Sequence, residues 1–156
     1  MMTDLTYIRI WDGKFQYNCS ILDLSERSIV AIKTSIMMTN ELAKETLETG
    51  VSSQKERLKG LIIHNTQGNQ FASYDFTKYC LTNGKTQSMS KVEFPYDSLV
   101  MEQFFRTMKF ELIHRFQFNK DKQLETEISE YVFGWCNLVR PHAANGYKTP
   151  NKVRNF

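Results

Sequence analysis

Leu5-Thr6-Tyr7-Ile8-Arg9-Ile10, then Asp12-Gly13, then Lys14 to Leu24, then Ser28-Ile29-Val30-Ala31-Ile32-Lys33: this opening stretch decides the fold class. Its apolar runs are rich in β-branched and aromatic residues, which fit a pleated, half-buried surface. Asp-Gly is a strong hairpin signal because glycine tolerates the positive φ that such turns require. The connections are too short for crossovers, so residues 5–33 predict a three-stranded antiparallel meander.

Downstream, the apolar period changes. From Thr39 or Asn40, either a good N-cap, Leu42, Ala43 and Leu47 recur at helical spacing, and Gly50 is a natural stop. Leu61-Ile62-Ile63 is short and wholly apolar, as expected of a strand buried on both faces. A second helix is expected after Ser73 and should end at Asn83-Gly84, followed by a fifth strand over 86–89. Two long helical patterns cover about 98–116 and 124–139, and the end reads as loop-rich. The order predicts an α/β fold with a mixed five-stranded sheet flanked by helices. No repeat or composition break divides residues 1–156, so one domain is expected.

A chain of 156 residues can build one sizeable core but not two ordinary ones. With 41% apolar and 24% charged residues, the composition is globular rather than disordered. No apolar run approaches the roughly 18 residues of a membrane span, and the start lacks a signal-peptide pattern; a soluble, intracellular chain is expected. Cys19, Cys80 and Cys136 form an odd, scattered set without zinc spacing, which argues against a disulfide framework or a structural zinc site. Net charge is only +3, but after Glu130 the sequence carries Arg140, Lys148, Lys152 and Arg154 and no acid. The basic end, about 140–156, suits phosphate contact or plain solubility.

In the helix beginning near Ser98, Met101, Phe104, Phe105, Met108 and Leu112 share one arc. Glu102, Arg106 and Lys109 cluster on another, where the modest alternative is a solvated face with an i,i+4 ion pair. Asp4 is expected at the start of the first strand. Asp23 ends the second strand, beside a possible turn with a local ion pair at Ser25-Glu26-Arg27, and His64 reads as a hydrogen-bonded structural histidine. No nucleophile elbow or phosphate loop is present. Periodicity alone stops at a soluble α/β domain.

Six short motifs carry further information: TDLTYI at 3–8, ILDLSERSIV at 21–30, IIHNTQGNQFAS at 62–73, SMS at 88–90, PYDSLVMEQFFRTMKFELI at 95–113 and RPHAANGYKTP at 140–150. In this order and at these intervals they resemble the integrase-core region of bacterial insertion-sequence transposases, which are akin to retroviral integrases. The resemblance covers essentially the whole chain. It implies a ribonuclease H-like fold and an Asp, Asp, Glu triad that binds Mg²⁺ or Mn²⁺ for DNA cleavage and strand transfer. It also implies self-association, and a bacterial cytoplasmic protein that meets the nucleoid when bound to DNA. Relatives usually carry a helical DNA-binding region upstream of the first strand.

Matched residue by residue, Asp4 takes the place of the first Asp and Glu102 that of the Glu. The family motif His-Ser-Asp-Gln-Gly-Ser-Gln reads here His64-Asn65-Thr66-Gln67-Gly68-Asn69-Gln70, so Thr66 stands where the second Asp belongs. Thirty-five residues lie between Thr66 and Glu102, the family spacing. Glu93 and Phe94 replace a usual Gly-Asn in the loop before the Glu. Arg106 and Lys109, with Arg140 and His142, are implied DNA contacts. A neutral hydroxyl is a poor magnesium ligand compared with a carboxylate, so the resemblance implies impaired catalysis. The alternatives are a silent DNA-binding or oligomerising remnant, and a nuclease whose site Asp23 or Asp97 completes.

Overall fold

Strands β1 (Met2–Arg9), β2 (Phe15–Leu22) and β3 (Ile29–Ser35) form the expected antiparallel meander. The computed structural model describes residues 1–11, 13–54, 60–90, 98–118 and 120–154. Gly13, at φ 82°, supplies the left-handed backbone that brings the chain from β1 into β2. Strands β4 (Ile62–Asn65) and β5 (Thr86–Met89) complete a five-stranded sheet of order β3-β2-β1-β4-β5. Both β1–β4 and β4–β5 pair in parallel, so the sheet is mixed, as expected.

Helices cover both faces. Helix α1 (Asn40–Ser52) is N-capped by Thr39, whose side chain accepts from Leu42 N–H, and α2 (Tyr74–Thr82) by Ser73. Their apolar stripes bury Leu42, Leu47 and Phe76 against Ile21, Ala31 and Ile63. On the opposite face, α3 (Leu99–Met108) and α4 (Asp121–Ser129) enclose Met101, Met108, Leu124 and Ile128 with Met2, Ile8 and Ile29. Alternation along β1 divides these cores: Met2 and Ile8 face α3, while Leu5 packs on the α1 side. Asp4, in phase with Met2 and Ile8, is thereby aimed at α3.

Five local expectations need correction. Strand β4 is not buried on both faces: Ile63 lies in the core, but Ile62 is 54% exposed on the other side. Asp4 does not start a strand; β1 begins at Met2, which pairs with Leu22 and His64 and so extends the sheet to the chain's beginning. Gly50 does not stop α1, which closes at Ser53 through a backbone bond to Thr49. Gly50 instead lies where a Cβ would meet Ile21 Cδ1 at 3.0 Å, so it serves the approach of the helix to the sheet. The two late helices are not uniformly α-helical: α3 passes into a π-helical segment, Lys109–Ile113, and α4 into another, Glu130–Cys136. The basic end is ordered by a 3₁₀ turn, Ala143–Asn145, and α5 (Pro150–Arg154), whose first residue is the one helical position that suits proline.

That end is held against the meander. Asn137 accepts from Ile29 N–H at 3.0 Å and donates to Ile29 O at 2.8 Å, and Asn145 donates to Glu26 O at 2.7 Å. Glu26 is buried; its carboxylate accepts from Ser28 Oγ at 2.9 Å and meets Arg154 Nε at 3.6 Å, a tertiary pair.

Gly50→Leu is expected to destabilise the chain by about 1–3 kcal/mol, because overpacking forces Ile21 and Ala31 from their places. Urea unfolding of the variant beside the wild type measures this. A midpoint unchanged in urea would show that α1 can move off the sheet freely.

Candidate active site

Strands β1 and β4 pair through Met2–His64 and Thr3–Asn65; the next residue of β1 is Asp4, and the first residue beyond β4 is Thr66. These two therefore sit where the parallel strands part, the place at which open α/β sheets expose side chains to a crevice. Thr66 Oγ1 donates to Asp4 Oδ1 at 2.8 Å, and Leu5 N–H donates to the same oxygen at 2.8 Å. From α3, Glu102 comes close enough for its charge to act on Asp4. Burial is the main cause that raises the Asp4 pKa above the ordinary carboxylate value; the two hydrogen bonds oppose it and Glu102 adds to it. Glu102 accepts a hydrogen bond from Ser98 Oγ, one turn earlier.

Asp4, Glu102, Arg106 and Lys109 line one open cleft of about 900 Å³. The helical stripe expected to carry a carboxylate and two cations thus faces the strand carrying Asp4. The Lys109 ammonium lies 4.7 Å from the centre of the Tyr7 ring, and burial lowers its pKa. Arg140 reaches the same cleft, where its guanidinium bonds Glu111; Tyr131 Oη donates to that carboxylate at 2.7 Å. Glu111 and Tyr131 were not foreseen. Their only sequence signal is an acid and a tyrosine on helical patterns far apart in the chain.

His142 is elsewhere. It lines a different groove with Arg27, and its Nδ1 accepts from Ala144 N–H at 3.3 Å, capping the 3₁₀ turn. Burial first, then the charges of Arg27 and Arg140, lower its pKa. Asp23 is spent on its own turn, accepting from Ser25 N–H at 2.9 Å and Ser25 Oγ at 2.6 Å. By the β1–β2 register it stands about three residue pairs, roughly 10 Å, from Asp4. Asp97, Glu93 and Phe94 lie outside the described residues. His64 bridges Ser88 and Ser90 at 3.1 and 3.2 Å, a structural histidine in β4.

Among the described residues, no three His, Cys, Asp or Glu side chains are grouped to hold a metal ion. Of the three carboxylates that line the cleft, Glu111 is held by Arg140, which leaves Asp4 and Glu102, with the neutral hydroxyl of Thr66 beside Asp4. Asp4 Oδ1 already accepts two hydrogen bonds, one of them from Thr66 itself. Two divalent ions 3.5–4 Å apart need carboxylates around both, and among the described residues Asp4, Glu102 and Thr66 do not fit a two-ion centre.

Two models of the same description, integrase core domain, match residues 1–95 and 102–156. The chain belongs to the integrase core family. It is 30% identical over 153 residues to the transposase for insertion sequence element IS904 of Lactococcus lactis, covering 98% of this chain and 60% of that protein. It is 28% identical over 152 residues to the transposase InsF for insertion sequence IS3A of Escherichia coli, covering 97% of this chain and 52% of that one. This chain thus spans little more than half the length of these relatives. Among solved structures, the HTLV-2 integrase catalytic core domain in complex with magnesium superposes with a TM-score of 0.76 at 14% identity, over 97% of this chain and 93% of that one. A simian T-cell lymphotropic virus intasome gives 0.81 at 15% identity, over 99% of this chain and 53% of that one. The fold of this integrase core is ribonuclease H-like, and no helix among its described residues is long and apolar enough to cross a membrane.

The raised Asp4 pKa fixes the sign of a pH effect. The folded chain keeps this proton at pH values where the unfolded chain has released it, so ionising Asp4 opposes folding. That cost begins above the ordinary carboxylate pKa and is complete once pH has passed the raised one. Asp4→Asn is therefore expected to melt above the wild type near neutral pH, by about 2–4 °C for each kcal/mol relieved, with no advantage in strong acid. Melting curves across that range check it, and equal midpoints at neutral pH would overturn it.

Proposed function

We propose that this chain is the catalytic core of a transposase, holding DNA for strand cleavage and transfer, with its phosphoryl-transfer step severely impaired. The observation that carries the second half is the Thr66–Asp4 hydrogen bond. A hydroxyl occupies the position from which a second carboxylate would hold a divalent cation, and it spends its proton on the remaining one. In-line displacement at a phosphodiester needs stabilisation of both attacking and leaving oxygens, which a two-ion site supplies and two carboxylates alone do not. Asp4 and Glu102 are the metal-facing residues in this reading, with Mg²⁺ or Mn²⁺ held more weakly than in relatives. The magnesium in the HTLV-2 integrase complex supports the choice of ion.

Arg106 and Lys109 share the cleft with these carboxylates and are the proposed contacts for DNA phosphates; Arg140, tied to Glu111, stands at its border. His142 reaches DNA in this reading only if the DNA extends over the 3₁₀ turn. Residues 1–156 act as one core, self-associating on DNA in the bacterial cytoplasm. Contacts of this kind are electrostatic, so DNA affinity should fall steeply with salt.

The test pairs the wild type with Thr66→Asp. In a Mn²⁺ titration followed by melting temperature, the variant is expected to gain roughly 2.7 kcal/mol at a hundred times its dissociation constant, against little change in the wild type. On an oligonucleotide substrate, the variant should cleave at least about a hundredfold faster, the scale of a lost electrostatic contact in a transition state. Equal metal response and equal cleavage by the unaltered chain would show that another group completes the site.

A further inference from the structure

A second groove opens off the active-site cleft, between the end of β1 and the turn that follows the π-helical segment of α3. The two depressions share Lys109 and His114. Three large aromatic side chains stand exposed on the groove: Trp11 at 69%, Tyr7 at 61% and Phe116 at 60%. Single exposed rings are ordinary, but three around one groove form a patch. Among them lie Arg9, Lys109, Arg115 and His114, and among the described residues no Asp or Glu lines the groove.

This combination discriminates between occupants. An apolar partner helix would bury several cations with no acid of the groove's described lining to pair them, at a desolvation cost that the exposed rings do not repay. Paired DNA offers phosphates to the cations but keeps its bases stacked inside, where the rings cannot reach them. An unpaired strand offers both: phosphates for the arginines and lysine, and free base faces for the rings. The floor is firm enough to hold such rings in place. Ile8, Ile10, Ile113 and Phe118 are buried beneath, Trp11 N–H reaches Phe118 O at 3.5 Å, and Ile10 N–H donates to Lys14 O at 3.0 Å. His114 N–H donates to Lys109 O at 2.9 Å, closing the π-helical turn from which the two cleft-sharing residues project.

We propose that this groove binds unpaired single-stranded DNA, led away from the Asp4–Glu102 cleft past Lys109 and stacked on Trp11, Tyr7 and Phe116. The proposal rests on the DNA reading above and specifies which part of the substrate lies here: a frayed or overhanging strand rather than the duplex.

Fluorescence anisotropy with labelled oligonucleotides of about 15 nucleotides, single-stranded or as a blunt duplex, tests it on the whole chain. Trp11→Ala and Phe116→Ala are each expected to weaken single-strand binding by about fivefold to a hundredfold, with duplex binding changed by less than about twofold and Trp11→Phe close to wild type. Photo-crosslinking of an iodouracil-containing single strand should attach to a peptide bearing Tyr7, Trp11 or Phe116. Equal losses on both DNA forms, no loss on either, or a crosslink confined to other peptides overturns the groove assignment while leaving the DNA reading intact. Failure of the wild type to bind either form overturns both. Loss of self-association in Trp11→Ala with unchanged DNA affinity would make the face an interface between copies and also overturn the proposal.

Discussion

The parallel pairing of β1 with β4 over two residue pairs, Met2–His64 and Thr3–Asn65, is the constraint on which the site depends. It joins the antiparallel meander to the parallel half of the sheet. Because pairing stops there, Asp4 and Thr66 emerge side by side at a gap instead of disappearing into a ladder. The remainder of β1 is left without β4 beside it, and along that stretch both the carboxylate cleft and the aromatic groove open.

One side chain bears on the electrostatics of the gap beyond the burial that dominates at Asp4. A carboxylate at position 66 would stand next to Asp4 and near Glu102, and like charges so close raise one another's pKa unless a cation neutralises them. Thr66 relieves that repulsion with a neutral hydrogen bond. The folded chain therefore accommodates Asp4 with less repulsion than a third carboxylate at position 66 would bring.

The basic end contributes through position more than through charge. Asn137 and Asn145 bond the backbone of the β2–β3 region, and Arg154 meets buried Glu26. These contacts fix residues 137–154 across the α3–α4 side, so that Arg140 reaches Glu111 at the border of the cleft. Arg140 thus enters the site as one half of an ion pair, and its partner tempers the positive charge it would otherwise present.

Much of this architecture was legible in the amino-acid sequence. The meander, the change to helical period at Asn40, the apolar strand at Ile62–Ile63 and the buried stripe Met101-Phe105-Met108-Leu112 are local patterns, set by side-chain alternation and helix geometry that short segments carry within themselves. The motif order also aligned Asp4, Thr66 and Glu102 before any coordinate was known, because their spacing is a property of the chain. What only the tertiary structure decided are relations between segments far apart: that Thr66 donates to Asp4, that Arg140 is bound to Glu111, that Asp23 turns inward on Ser25, and that Trp11, Tyr7 and Phe116 surround one groove. The π-helical segments Lys109–Ile113 and Glu130–Cys136 belong there too, since the apolar period of those stretches reads as α-helix. A sequence specifies which side of its own element a residue occupies; which partner meets it there depends on how the elements close on one another.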